Sequence, residues 1–486
     1  MDHSRTPVLE AIQEFRRRGD VVYGPPGHKQ GRGVDPRVID VVGEGVFASD
    51  ILTLNGLDDR RESQGVLEEA QQLMADAVHA DTAFFSTCGS SLSVKSAMIS
   101  VAGPGEKLLV SRNAHKSVIA GVIIAGIEPV WVHPHFDDDL HLAHPPEPED
   151  VGSALQANPD AKGMLLISPT DWGTCADIAG VAEVCHEYGV PLILDEAWGA
   201  HLPFHPQLPA WGMDAGADLV VTSVHKMGSA IEQSSCFHLQ GDLVDPSVLK
   251  AREDLLGTTS SSSLVYATLD GWRRQMVEQG EELLQAALER AEQVRTDLAG
   301  CKGLSVLGRE VVRPGGAADL DPLAITVDVR DLGISGYQAV EWLRAERHVD
   351  LGAGDTFRVN ARLTHADDDD TQARLLSAMR ALVDAAADIE PPLTVALPAP
   401  QRFELSTAML PRDAFFGRVE QVPVQHAAGR IAAEMVSPYP PGVPVVAPGE
   451  LLDADVLDYL VTGVQAGMLI PDAADPTLRT IRVVAT

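Results

Sequence analysis

Between residues 83 and 222 the chain alternates short apolar runs with stretches of helical spacing, and this alternation limits the fold more than any other feature. The runs fall at 83–85, 107–111, 129–132, 163–168, 191–195 and 218–222. They show little apolar–polar alternation. A strand with one wet face alternates, whereas a strand covered on both faces does not. Helical stretches separate several of them. Leu67, Ala70, Leu73, Met74, Ala77 and Val78 recur three and four apart, and 181–188 is a second such stretch. The pattern predicts an α/β fold with a mostly parallel central sheet flanked by helices. Ligands on such sheets bind beyond the carboxyl ends of the strands. With 486 residues, 45% of them apolar, the chain can bury a core of that kind.

Four segments follow from the flanking signals. Residues 1–66 form an N-terminal segment with an amphipathic helix over 7–20. A Gly/Pro-rich run over 23–33 carries His28 and Lys29 and reads as a loop. Residues 67–275 form the large domain. A long charged helix over 269–298 leads out of it into a smaller α/β domain, 276–395, with a strand signal at 323–329 and a helix signal at 371–387. Pro391, Pro392, Pro398 and Pro400 mark a linker into a C-terminal domain, 396–486. The acidic, histidine-containing stretch 133–150 has irregular spacing and reads as an exposed loop, so no metal site is expected there.

The formal net charge of −33 argues against nucleic acid and anionic membrane as partners and favours cationic ligands. The five cysteines are far apart and contain no C-x-x-C pair, which fits a reducing compartment. The first twenty residues contain no apolar core of a signal peptide. The apolar stretch 118–132 is broken by Glu128 and Pro129 and is too short to span a bilayer. A cytoplasmic location is the expectation.

Three pieces of chemistry lie at carboxyl ends of predicted strands. Gly89, Ser90 and Ser91 stand between a strand and a helix, where unpaired N–H groups suit a phosphate. Taken alone, they read first as an ordinary helix cap. Asp195 ends a buried strand, and a carboxylate there needs a cation or donor, either an ion pair or a pyridinium nitrogen. Lys226 follows Ser223 and His225 at the end of an apolar strand. A lysine partly removed from water has a lowered pKa, as an imine-forming amine requires, although it can also snorkel to the surface. Asp195 and Lys226 are 31 residues apart, about one strand–helix–strand unit, so both can end neighbouring strands. Phosphate cradle, carboxylate and amine together match pyridoxal 5′-phosphate (PLP).

At this point the chain resembles the Orn/Lys/Arg decarboxylases of the aspartate-aminotransferase-like fold, PLP fold type I. The matching pieces are 26–31 (PGHKQG), 89–91 (GSS), 112–117 (RNAHKS), 195–201 (DEAWGAH), 223–226 (SVHK), Thr259 with Ser260, 268–270 (TLD), 439–442 (YPPG) and 448–450 (PGE). The resemblance implies a role at each site position. Lys226 would join the cofactor aldehyde, Asp195 would pair with the ring nitrogen, and His115 would stack on the ring. Gly89, Ser90, Ser91 and Ser223 would hold the phosphate. Ala197, Trp198 and His225 would line the cofactor, and Thr259 and Ser260 would reach a partner's phosphate across a homodimer with shared sites. Glu450 and Asp58 would meet the distal cation of a basic amino acid. The implied reaction is decarboxylation of lysine, ornithine or arginine to a diamine or agmatine, with Lys226 or His225 returning a proton. A PLP-dependent oxidase, deaminase or aminotransferase is the alternative outcome, and a silent binding homologue a third. Residues 258–263 (TTSSSS) lack the proline and tyrosine common in the family. A decarboxylase gains by leaving the substrate carboxylate unclamped, and Arg358, Arg362 and Arg430 are the arginines available for such a clamp.

Overall fold

The computed structural model describes residues 1–52, 65–439 and 442–485. Asp58 lies outside them. The chain divides into two units, one of residues 1–100 with 193–283 and one of residues 101–192 with 284–486. The fold is mixed α/β, with parallel strand pairs in both units and helices between the strands. The strands of the two units are β1 (Thr82–Ser86), β2 (Lys107–Ser111), β3 (Glu128–Val132), β4 (Met164–Ile167), β5 (Leu192–Asp195), β6 (Leu219–Ser223) and β7 (Ser235–Leu239).

In the first unit the strand order is β1-β7-β6-β5. β7 runs antiparallel to both β1 and β6, while β6 and β5 are parallel. β1, β5 and β6 therefore point the same way and end at one edge. Every residue of β5, β6 and β7 is buried, which is why their sequences lack alternation. Helix α1 (Pro7–Arg18) turns Val8, Ile12 and Phe15 inward. It is tied to the start of the long helix α6 (Ser263–Ala299) by Val8 N–H donating to Asp270 Oδ2 at 2.9 Å.

In the second unit β4, β2 and β3 are neighbours and all parallel, and α4 (Ile178–Glu187) follows β4 along the chain. A smaller antiparallel sheet pairs β8 (Ala324–Asp328) with β9 (Arg358–Arg362), and α7 (Asp369–Ala385) follows it. Near the C-terminus, 419–423 pairs with 480–484 over a core of Val436, Val446, Leu460 and Ile481. The stretch 133–150 is not the bare loop expected. His135–Asp137 and Leu142–His144 form a two-stranded ribbon, held by Asp137 accepting from the amides of Asp139 and Leu140 and from Arg313. Among the described residues no helix is long and apolar enough to cross a membrane.

Candidate active site

The shared edge of β1, β5 and β6 collects most of the expected site residues. β1 leaves the sheet at Ser86 and turns through Gly89, whose φ of +73° is the left-handed conformation that glycine adopts without strain. The turn is fixed by Gly89 N–H donating to Gln233 O at 2.9 Å. α2 (Ser90–Val101) starts immediately after it, so the amides of Ser90 and Ser91 lie in a first turn that offers them no intrahelical acceptor. Ser223, the last residue of β6, donates its hydroxyl to Ser90 Oγ at 2.6 Å. The serines of β1–α2 and of β6 are thus one cluster. Ser93 and Ser235 support it from below: their hydroxyls meet at 2.9 Å, and Ser235 also donates to Thr222 O.

β5 delivers Asp195 to the same edge, level with Val221 of β6. Asp195 is 5% exposed, and its Oδ1 accepts from Ala197 N–H at 3.3 Å. Ser223 N–H donates to Ala197 O, which joins the turn after β5 to the end of β6. The next residue, Glu196, faces the other way into the core and is fully buried. Its Oε2 accepts from Gly212 N–H at 3.3 Å, while Oε1 has no hydrogen-bond partner among the described residues. Burial pushes its carboxyl well above the usual carboxylate range, and the negative charges of Asp195 and Asp214 push the same way. Both effects favour the protonated form of Glu196. A Cβ at Gly212 would stand 2.6 Å from Leu194 Cδ2, so glycine is required for this approach.

A single helical turn, α5 (Val224–Met227), follows β6 and presents His225 and Lys226. Lys226 Nζ stands 4.2 Å from the centroid of the Trp198 ring, a cation–π distance. His225 Nδ1 lies 3.0 Å from Ser234 O. Gly89, Ser90, Asp195, Ala197, Trp198, Ser223, His225 and Lys226 are thus gathered in one unit by three strand ends. Ser91 is exposed on the same first turn. Thr259 and Ser260 are exposed in the segment before α6, where Ser260 N–H donates to Thr258 Oγ1.

The second unit holds the other expected residues. His115 caps α3 (Lys116–Ala125), its Nδ1 accepting from Ser117 N–H at 3.2 Å. Glu450, the expected contact for a distal substrate cation, lies buried in this structure. It is 1% exposed and already meets a cation of its own chain, with Arg112 Nε and Nη2 donating to its two oxygens at 3.2 and 3.1 Å. The three arginines weighed as carboxylate clamps have internal partners as well. Arg358 donates to Leu140 O and His141 O, Arg362 to Asp321 and to the carbonyls of Thr170 and Asp171, and Arg430 to Glu420 and Val484 O. The sequence reading missed Glu196 and the Ser93–Ser235 support. The small residues around Glu196, at Ala197 and Gly199, were the available signal for a side chain turned inward.

Comparison with known proteins gives a consistent result. Residues 6–345 match the family model of the Orn/Lys/Arg decarboxylase major domain, and residues 399–472 match that of its C-terminal domain. The chain is similar to an arginine decarboxylase of Bacillus anthracis, 36% identical over 482 residues, covering 99% of this chain and 97% of the relative. It is also similar to an arginine decarboxylase of Bacillus subtilis, 34% identical over 486 residues, covering 100% and 99%. Among solved structures it superposes on the constitutive lysine decarboxylase of Escherichia coli with a TM-score of 0.81 at 20% identity, covering 100% of this chain and 82% of that one.

Proposed function

We infer, from the premise that this chain belongs to the Orn/Lys/Arg decarboxylase family, that it is an amino-acid decarboxylase acting on a basic substrate. Arginine, with agmatine as product, is the substrate supported by the names of its full-length relatives. The observation that carries the reading is the convergence of the serine cluster, Asp195 and Lys226 on one sheet edge.

The residues present fit PLP. Ser90 and Ser223 offer adjacent hydroxyls beside the first turn of α2, a donor set for a phosphate. Asp195, buried at a strand end, suits a cationic ring nitrogen. Lys226 supplies a primary amine at the same edge. PLP, when bound, supplies an aldehyde that captures amines and a ring that accepts the electron pair left by departing CO₂. The chain's own part is to hold, orient and move protons. Trp198 flanks the Lys226 amine and shields it from water. Lys226 Nζ or a nitrogen of His225 returns the proton to the substrate α-carbon. The commitment of Arg358, Arg362 and Arg430 to internal partners favours loss of the carboxylate over its retention.

The exposed Thr259 and Ser260 suit a homodimer with shared sites. The five cysteines, none in a disulfide, suit a reducing cytoplasm. An amino-acid panel assayed for CO₂ with products identified by mass tests the function. Agmatine from arginine is the expected result, whereas a keto acid or peroxide would mean transamination or oxidation.

A further inference from the structure

We propose that the C-terminal domain positions the His115 ring by clamping the turn between β2 and α3. This inference rests on the reading above only in taking His115 as the residue on the cofactor face. β2 ends at Ser111 and α3 begins at Lys116, so the turn is residues 112–115. The chain beyond residue 438 holds it at both ends and at the ring itself.

At the first end Arg112, 7% exposed, is saturated by acceptors more than 300 positions away. Besides Glu450, it donates from Nη1 to Pro444 O at 2.6 Å and from Nη2 to Val445 O at 3.2 Å. Glu450 is fixed in turn by Ala447 N–H donating to its Oε2 at 2.7 Å. The guanidinium also lies 5.3 Å from the centroid of the Trp131 ring. At the other end Lys116 N–H donates to Gly442 O at 3.0 Å, and Lys116 Nζ pairs with Asp472 at 2.7 Å.

Between these anchors stands the His115 ring. Its Nδ1 edge is held by Ser117 of its own helix. Its opposite edge abuts Gly442, where an added Cβ would lie 3.3 Å from both His115 Cδ2 and Nε2. Gly442 has φ +91°, a conformation L side chains rarely adopt. Space and backbone both call for glycine at this position beside the ring. Packing the C-terminal domain onto the unit would need only apolar contact. This clamp instead directs donors to carbonyls on both sides of one histidine, so Arg112, Gly442, Glu450 and Asp472 are positioning residues for it.

The test uses the full chain. The reactivity of His115 with diethyl pyrocarbonate is read by peptide mass mapping in the apo-protein, with the exposed His79, whose side chain is 63% accessible, as internal standard. Glu450→Gln and Gly442→Ala should change the His115 rate severalfold relative to His79, with Asp472→Asn changing it less. A ring displaced by even an ångström costs about 10²-fold in rate, so kcat of Gly442→Ala should fall by about that factor. Arg430→Met, which breaks a pair elsewhere in the same domain, should lower Tm without moving the His115 rate. If Gly442→Ala does not fold, Glu450→Gln and Asp472→Asn decide. An unchanged His115 rate in folded variants, or an equal change in Arg430→Met, overturns the clamp. Absence of decarboxylation in the wild type would instead sink the functional reading and leave the reactivity result standing.

Discussion

Replacing Glu196 with glutamine separates a neutral carboxyl from a charged one. Glu196 is wholly buried and receives one hydrogen bond, from Gly212 N–H. Burial raises its pKa in the folded protein, with Asp195 and Asp214 adding to the effect. The folded state therefore binds this proton more tightly than the unfolded state, whose carboxyl titrates near about 4.3. As pH rises above that value, the unfolded chain gains by releasing a proton that the folded chain retains. Stability falls by about 1.4 kcal/mol per pH unit until the folded pKa is reached. Between pH 5 and pH 7 the decline has a ceiling of about 3 kcal/mol. Glutamine has the same shape, can accept from Gly212 and never ionises, so the variant lacks this decline. Thermal unfolding of both proteins at pH 5 and pH 7 measures the difference. At about 2–4 °C per kcal/mol for a unit of 150–250 residues, the variant should gain on wild type between the two pH values, by up to about 5–10 °C. Parallel pH dependence in the two proteins would refute a neutral Glu196. So would a variant that loses ground as pH rises.

Two further outcomes follow from the same geometry. Ser90→Ala and Ser223→Ala each remove a hydroxyl offered to a phosphate. A hydrogen bond to a charged group is worth about 1.5–3 kcal/mol, so each should weaken PLP binding by about 10- to 100-fold in an absorbance titration of the apo-protein. Because the two hydroxyls bond each other, the double variant should lose less than the product of the single losses. Arg273→Met strands the buried Asp270, whose partner now donates to it at 2.9 Å with both side chains at 0% exposure. Such a loss costs about 3–5 kcal/mol. Arg273 also holds the carbonyls of His3 and Arg5, so urea unfolding should shift to lower concentration and α1 should become open to proteolysis. A variant as stable and protease-resistant as wild type would refute that role.

The central strands were legible because burial on both faces leaves a plain mark in sequence. β2 spans the expected residues, and β5 and β6 lie within one residue of expectation at each end. β7 was not legible. Ser235 and His238 look like surface residues, yet both are buried, and their hydroxyl and imidazole groups are satisfied by Thr222 of the neighbouring strand. The ribbon at 135–144 was hidden for a similar reason, since its Asp137 depends on Arg313, 176 positions away. At the site, residues whose position follows from a strand end were readable: Asp195 and Ser223 end their strands, and Lys226 stands on the turn just after. The burial of Glu450 was not legible, since the expectation of a substrate contact came from the resemblance alone. Its partner in the structure, Arg112, is 338 positions distant and carries no mark of the pairing.

The amine of Lys226 is the group on which the account stands. Reduction of the PLP-loaded protein with borohydride, digestion and peptide mass spectrometry would locate the attachment point. A pyridoxyl mass increment on Lys226, absent from Lys226→Ala, is the predicted result. An increment on another lysine, or none in a protein that still releases CO₂ from arginine, would contradict the account.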